Sequence, residues 1–391
     1  MSDTSGRCIF SGMQILLEHA WVKDQAVVVE MGKIKSIMPV EMIEHHLPAR
    51  RYEFSADHYL IPGLIDLHIH GAKGHDVMDG TETALTKISQ ALAEEGVTGF
   101  LATTMTADDE KIASVLSIMP AAMQAKAGAS ILGVHLEGPF LAPLKMGAQN
   151  GEHIKAPDLT LMRHWQKLAQ GAIKVVTVAP EIPEALALIK LLHEMDIVAS
   201  IGHTNATYAE TEAAIAAGCT QATHLFNAMR GIHQREPGAI TALLLANGVS
   251  VELIVDGLHL HPAITELVLR LKGKDRLLLV TDAMRAKCLG DGKYDLGGQS
   301  VEVHQQKAAL ADGTLAGSVL RMPEAIKNMV KFSHCSLIDA IAMASLNPAR
   351  ILGLDEKKGI IDAGKDADLV VLNASLDVML TMREGAVVFT K

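Results

Sequence analysis

Eight short apolar runs, each followed by a stretch long enough for a helix, constrain the fold of this 391-residue chain more than any other feature. They lie at 59–68, 97–104, 131–137, 173–181, 197–203, 220–226, 251–257 and 276–283. Each is nearly continuous in Val, Ile, Leu and Ala rather than alternating with polar residues, the pattern of strands buried on both faces. Intervening segments such as "EALALIKLLHEM" and "AETEAAIAAG" are rich in Ala and Leu with helical periodicity. Eight strand–helix units predict a parallel (β/α)8 TIM barrel. An open doubly wound sheet is the alternative, but no Gly-x-Gly-x-x-Gly follows any of the runs.

The two ends of the chain read differently. "MQILLEHAWV", "QAVVVEMGKIKSIMPV" and "RYEFSA" near the N-terminus, and "ADLVVLN", "DVMLTMRE" and "AVVFTK" near the C-terminus, are short β segments with turns at Gly32, Gly364 and Gly385. The expectation is an α/β protein in which residues 1–58 and 345–391 form one small β-sandwich domain and residues 59–344 form the barrel.

Polar residues then fall in a telling place. The first run ends in His68 and His70, the third in Glu137, the fifth in His203, the sixth in His224 and the eighth in Asp282. Residues i and i+2 of a strand share a face, so His68 and His70 point the same way. One His-x-His pair is expected by chance alone among so many histidines, and His259 and His261 form a second. A lone strand-end histidine is more often a hydrogen-bonded structural residue than a ligand. In a (β/α)8 barrel, however, all C-terminal strand ends open onto one catalytic face, where these six residues would meet. Imidazole and carboxylate donors suit zinc, iron or manganese, and open positions on such a metal activate water. Glu137 is suited to bridging two ions, and Asp282 to carrying a proton from the attacking water to the leaving group.

Composition narrows the partners. The formal charge of −10 argues against nucleic acid and acidic membranes, though a local arginine cluster still suits a small anion. Cys8, Cys219, Cys288 and Cys335 form no CxxC pair, no signal-peptide pattern opens the chain, and no apolar run approaches the roughly 20 residues of a membrane span. A cytoplasmic location is expected.

The motifs "PGLIDLHIHG" (62–71), "GVHLEGPF" (133–140), "IGHTNA" (201–206), "THLFNAM" (223–229), "REPGAI" (235–240), "DGLHLHP" (256–262) and "VTDAM" (280–284) resemble those of the amidohydrolase superfamily. "LAGSVL" (315–320) and "GKDADLVVL" (364–372) extend the likeness over nearly the whole chain. The "HLEGPF", "THLFNAM" and "REPGAI" segments are similar to the branch that deacetylates N-acetylated amino-sugar phosphates. The resemblance implies hydrolysis of N-acetyl-D-glucosamine 6-phosphate to D-glucosamine 6-phosphate and acetate, in amino-sugar catabolism or cell-wall recycling. The N-acetylgalactosamine 6-phosphate epimer is the nearest rival substrate, and a non-catalytic binding protein on the same scaffold is the rival from another class. Cyclic-amide hydrolases place a carboxylated lysine at the end of strand four, where this chain reads "TVAPE". A deaminase would have no use for "REPG".

By the same resemblance, Glu137, His203 and His224 hold a principal divalent metal, and His68 and His70 hold a second with Glu137 as bridge and Asp282 nearby. One or two ions per subunit are implied. Ala148, Asn227, Ala228, Arg235 and His259 are implied to bind substrate, and Leu315, Ala316 and Gly317 to contact the sugar by their backbone. Arg235 offers a planar, permanently charged fork that suits phosphate, with Arg230 and His233 adding positive charge. Relatives place such an arginine across a dimer interface, so a homodimer is implied. Many carry a histidine where this chain has Gln149 in "KMGAQN". An amide can donate a hydrogen bond but cannot become a cation, so either Gln149 polarises the acetyl carbonyl or a metal does more of that work.

Overall fold

The computed structural model describes residues 6–44 and 48–391. Its centre is an eight-stranded all-parallel sheet in which each strand pairs with the next in sequence. The strands are β1 (Leu64–Ile69), β2 (Val97–Thr103), β3 (Ser130–Glu137), β4 (Ile173–Val178), β5 (Val198–Ile201), β6 (Gln221–Ala222), β7 (Ser250–Leu253) and β8 (Leu277–Leu279). The sheet closes through a parallel bridge between Ile69 and Ala283. The Asp282 N–H donates to His68 O at 2.8 Å, and the His70 N–H to Ala283 O at 2.9 Å. The expected TIM-like barrel is therefore present.

Helices cover the outside, and their starts follow from local chemistry. Thr81 caps α1 (Glu82–Ala93), Asp108 caps α2 (Asp109–Ala122) and Asp158 caps α3 (Leu159–Leu168). The Ala- and Leu-rich stretches read from sequence are α4 (Ala185–Glu194) and α5 (Tyr208–Ala216), the latter opened by a Thr207–Glu210 capping box. Next come α6 (Gly238–Leu245), α7 (Pro262–Lys272) and α8 (Met322–Ser333). Two short helices, Leu337–Met343 and Leu346–Ile351, follow; Asn347 on the second donates to Leu277 O of β8 at 2.9 Å.

Both ends of the chain build the β portion. A four-stranded sheet holds Arg7–Ser11, Gln25–Glu30, Lys33–Pro39 and Arg50–Glu53. A six-stranded sheet mixes Gln14–Leu17, Ala20–Val22 and Tyr59–Pro62 with Leu369–Leu372, Val378–Arg383 and Ala386–Thr390. Phe10, Ile15, Val27 and Ile34 pack with Leu60, Leu369, Val371 and Leu380 in one apolar core.

Three strands differ from the sequence reading. The run at 59–68 is two strands: Tyr59–Pro62 pairs with Leu369–Leu372, and β1 begins after Gly63, where the Thr98 side chain leaves no room for a Cβ. The runs at 220–226 and 276–283 keep only Gln221–Ala222 and Leu277–Leu279 in the ladder. The reason is backbone conformation: His224, Phe226 and Asp282 have positive φ values of 28°, 78° and 47°, which no strand tolerates. A three-stranded antiparallel sheet (Gly292–Leu296, Gln299–His304, Lys307–Ala309) follows β8 and leads the chain back over the barrel mouth.

Candidate active site

The six residues read from strand ends converge. Glu137 Oε1 lies 3.1 Å from both His203 Nε2 and His224 Nε2. Glu137 Oε2 lies 3.4 Å from His68 Nε2 and 3.2 Å from His70 Nε2, and Asp282 Oδ1 lies 3.4 and 3.1 Å from the same two nitrogens. Two ligand-type groups result, Glu137–His203–His224 and His68–His70–Asp282, each with its donor atoms within 4.8 Å of one another. All six side chains are buried.

His203, His224 and Asp282 adopt left-handed backbone (φ 47°, 28° and 47°), which non-glycine residues enter at an energetic cost. Surrounding bonds hold them there. His203 O accepts from Ala142 N at 3.0 Å and its Nδ1 lies 2.9 Å from Lys145 O. The His224 N–H donates to Glu252 Oε2 at 3.1 Å, and His224 O accepts from Asn227 N at 3.0 Å. Asp282 O accepts from Ser318 N at 2.7 Å, and a Cβ on neighbouring Gly317 would sit 3.0 Å from that oxygen. The sharp turns aim side chains into the barrel mouth that a continuing strand would carry past it.

The electrostatics call for a cation. Burial opposes ionisation of Glu137, but the charge of His68 and hydrogen bonds from His203 and His224 outweigh it and hold the carboxyl well below its usual range. Burial likewise opposes ionisation of Asp282, while His68 and His70 bring it down to about 2. In turn the two carboxylates overcome burial and lift His70 to about 9. His68 Nε2, His70 Nδ1 and His224 Nδ1 are buried without a hydrogen-bond partner. The Nε2 atoms of His68, His70, His203 and His224, gathered about the carboxylate oxygens of Glu137 and Asp282 in a buried site, are a donor set that fits a divalent metal ion of the zinc, iron or manganese type.

A further group, His68–His135–Glu252, also clusters. His135 is already engaged: its Nε2 lies 2.7 Å from Thr177 Oγ1 and its Nδ1 3.3 Å from Leu67 O. Burial and the adjacent His68 push it down to about 4, so it is a neutral structural histidine beneath the site.

A cavity of about 340 Å³ opens above the cluster. His70, Glu137, His203, His224 and Asp282 line it, together with Ala148, Gln149, Asn227, Ala228, His259, Leu315 and Gly317. His68 lies behind this surface. Ala316 is fully buried and does not line the cavity, and Arg235 is exposed on the 230–237 loop, outside it. Gln149 is buried and committed at both ends: its Oε1 accepts from the Thr106 N–H at 2.7 Å, and its Nε2 donates to Glu137 Oε2 at 2.9 Å. His259 Nδ1 lies 2.6 Å from Asp256 Oδ2. Sequence reading passed over Lys145, whose loop motif it had in view and which lines the cavity. It also passed over Glu252, a lone carboxylate inside the apolar run "VELIV", which by itself signals a buried acid needing partners.

Residues 59–389 match the model of the amidohydrolase family. The chain belongs to the amidohydrolase family. Among its relatives in that family, the N-acetylglucosamine-6-phosphate deacetylase of Bacillus subtilis is 42% identical over 385 residues, 97% of each chain. The N-acetylgalactosamine-6-phosphate deacetylase of Escherichia coli O157:H7 is 36% identical over 378 residues, covering 96% of this chain and 98% of that one. Among solved amidohydrolase structures, the N-acetylglucosamine-6-phosphate deacetylase of Pasteurella multocida superposes with a TM-score of 0.93 at 31% identity, over 98% of this chain and all of that one. A mutant of the Mycobacterium smegmatis enzyme in complex with N-acetyl-D-glucosamine-6-phosphate superposes with a TM-score of 0.90 at 33% identity, over 98% and 100% of the two chains. No described helix is long and apolar enough to cross a membrane.

Proposed function

We propose that the chain hydrolyses the acetamide of N-acetyl-D-glucosamine 6-phosphate, giving D-glucosamine 6-phosphate and acetate. The observation that carries this reading is one cavity wall on which five ligand-type side chains meet Ala148, Gln149, Asn227, Ala228, His259, Leu315 and Gly317. Similarity to curated deacetylases along 97% of the chain supports it.

Glu137, His203 and His224 would hold one divalent ion, and His68, His70 and Asp282 a second, with Glu137 facing both. A zinc, iron or manganese ion held there supplies Lewis acidity, polarising the acetyl carbonyl and lowering the pKa of bound water. Asp282, ionised on the cavity wall, accepts the proton of the attacking water and delivers it to the amine nitrogen as the C–N bond breaks. Asn227, Ala228, His259 and the Leu315–Gly317 segment orient the sugar, with Ala316 anchoring that segment from beneath. Arg235 and Lys145 supply the charge for the phosphate. Because Arg235 stands outside its own cavity, it serves the site of the other subunit in a homodimer. The enzyme works in the cytoplasm, on a soluble phosphosugar.

The galactosamine epimer is kept as a second reading by the E. coli O157:H7 relative. The test is acetate release from both sugar phosphates and from N-acetylglucosamine, with zinc, iron and manganese supplied separately. The highest kcat/KM on the glucosamine phosphate is expected. Metal-loaded protein that releases acetate from neither phosphate would make the chain a binding protein on an amidohydrolase scaffold.

A further inference from the structure

Glu252 is a fully enclosed acid beside the site, and it does not line the cavity. It sits at 0% exposure in β7 between the fully buried Val251 and Leu253. A valine or leucine there would satisfy packing. A carboxylate in such a place is costly unless its charge is met by donors. Three meet it: His68 Nδ1 at 2.9 Å and the His224 backbone N–H at 3.1 Å on Oε2, and Gln221 Nε2 at 2.7 Å on Oε1.

Two of the three donors, His68 and His224, belong one to each half of the site. An ionised carboxylate only accepts, so the bond from His68 places a proton on Nδ1 and makes Nε2 the ring nitrogen free to give its lone pair to a metal ion. That nitrogen faces Glu137 Oε2 and Asp282 Oδ1, each 3.4 Å away. The same oxygen of Glu252 holds the left-handed turn at His224. The geometry points to Glu252 as the positioning residue that makes the His68–His70–Asp282 group competent to bind its own metal ion, by orienting His68 and, through its negative charge on Nδ1–H, strengthening Nε2 as a donor. This rests on the reading that the group holds a metal. It adds that the capacity for a second ion is set from β7, one layer beneath the cavity.

Glu252→Gln is the informative variant. Gln221 Oε1 has no partner, so that amide can turn and accept from the new amide nitrogen, keeping the layer hydrogen-bonded while removing the charge. Metal stoichiometry and affinity, measured by elemental analysis and competition with a chelator, are the readout. Wild type is expected to take up two equivalents. Glu252→Gln is expected to keep one tightly, at Glu137–His203–His224, and to bind the other roughly 10- to 100-fold more weakly. Both ions retained at wild-type affinity, both lost in parallel, or a wild type that binds only one would each overturn the proposal. Nitrogen-15 imidazole spectra of the metal-loaded wild-type chain give a check independent of the variant's folding: His68 must carry a proton on Nδ1, and an unprotonated Nδ1 overturns the assignment. Acetate release is scored separately. An active wild type whose Glu252→Gln form keeps both ions defeats only the role of Glu252, and a selective loss of one ion without acetate release from wild type defeats only the deacetylase reading.

Discussion

The floor of the cavity and its rim are built differently. On the floor, His68, His70, Glu137, His203, His224 and Asp282 are at most 7% exposed, and the turns that aim three of them are pinned by backbone hydrogen bonds. On the rim, Leu144 is 81%, Ile232 55% and Leu258 47% exposed, and Arg235 stands in solvent on the same loop as Ile232. A preorganised floor suits bond breaking, where donors must already be in place when charge develops. An exposed apolar rim around a cationic loop suits contact with another surface. In the homodimer proposed above, the chemistry is complete within one chain, whereas the phosphate end of the site takes its arginine from the partner.

The largest effect should come from the floor. Asp282→Asn keeps the shape and removes the proton acceptor, so kcat should fall by roughly 10²- to 10⁴-fold while the Glu137–His203–His224 ion remains bound. Metal analysis beside single-turnover acetate release checks this. Near-normal turnover would move the proton step to another residue and dissolve the contrast with the rim.

The same division explains what sequence could and could not reveal. The floor was legible because barrel topology converts a one-dimensional pattern, ligand-type residues at the ends of five of the eight apolar runs, into convergence in space. His68, His70, Glu137, His203, His224 and Asp282 make up that pattern. Glu252 escaped because it lies inside a run rather than at its end, and its partners His68, Gln221 and the His224 N–H come from other segments. The short ladders at Gln221–Ala222 and Leu277–Leu279 escaped because left-handed turns at His224 and Asp282 are tertiary features, set by Glu252, His68 and Ser318 from other segments. The three-stranded sheet after β8 contains "GKYDLGGQSVEVHQQKAALADG", whose alternation and Gly297–Gly298 turn were readable in retrospect. Its placement over the mouth was not, since it depends on the contact of Gln299 Nε2 with Ala148 O.

Arg235→Ala probes the rim. A charge-assisted contact to phosphate contributes about 1.5–3 kcal/mol, so kcat/KM on the phosphorylated sugar should fall roughly 10- to 100-fold, with little change on N-acetylglucosamine. Mixed dimers sharpen this further: pairing Arg235→Ala chains with Asp282→Asn chains should restore activity at half the sites, because one cavity then combines an intact floor with an intact arginine. Mixtures no more active than the two variants alone would mean that each chain uses its own arginine.

Gln149 joins floor to rim, since its loop lines the mouth and its amide donates to Glu137. Gln149→Ala leaves the Thr106 N–H and one carboxylate oxygen short of a partner, a loss of about 1–2 kcal/mol. Metal affinity and kcat should both drop about tenfold if the amide serves both parts. A fall in kcat with metal affinity unchanged would make Gln149 a substrate contact alone.

The smallest effect concerns pH and the His259–Asp256 pair on the cavity wall. Burial alone would lower the pKa of His259, but the hydrogen bond and charge of Asp256, with Asp282 adding at longer range, raise it above the ordinary value. A raised histidine keeps its proton to higher pH than a free one. Its stabilising contribution is therefore complete below the unfolded pKa of about 6.5 and is lost as pH rises through the folded pKa. The imidazolium offers the substrate a cation over the same range. Asp256→Asn retains an acceptor but not the charge, so the neutral ring should take over at lower pH. KM for the phosphosugar should then begin to climb earlier on the alkaline side, by a few-fold, while kcat holds because Asp282 is untouched. A KM profile that coincides with wild type would place His259 among the groups that shape the wall without charging it, and the rim would then depend on Arg235 and Lys145 alone for its attraction to phosphate.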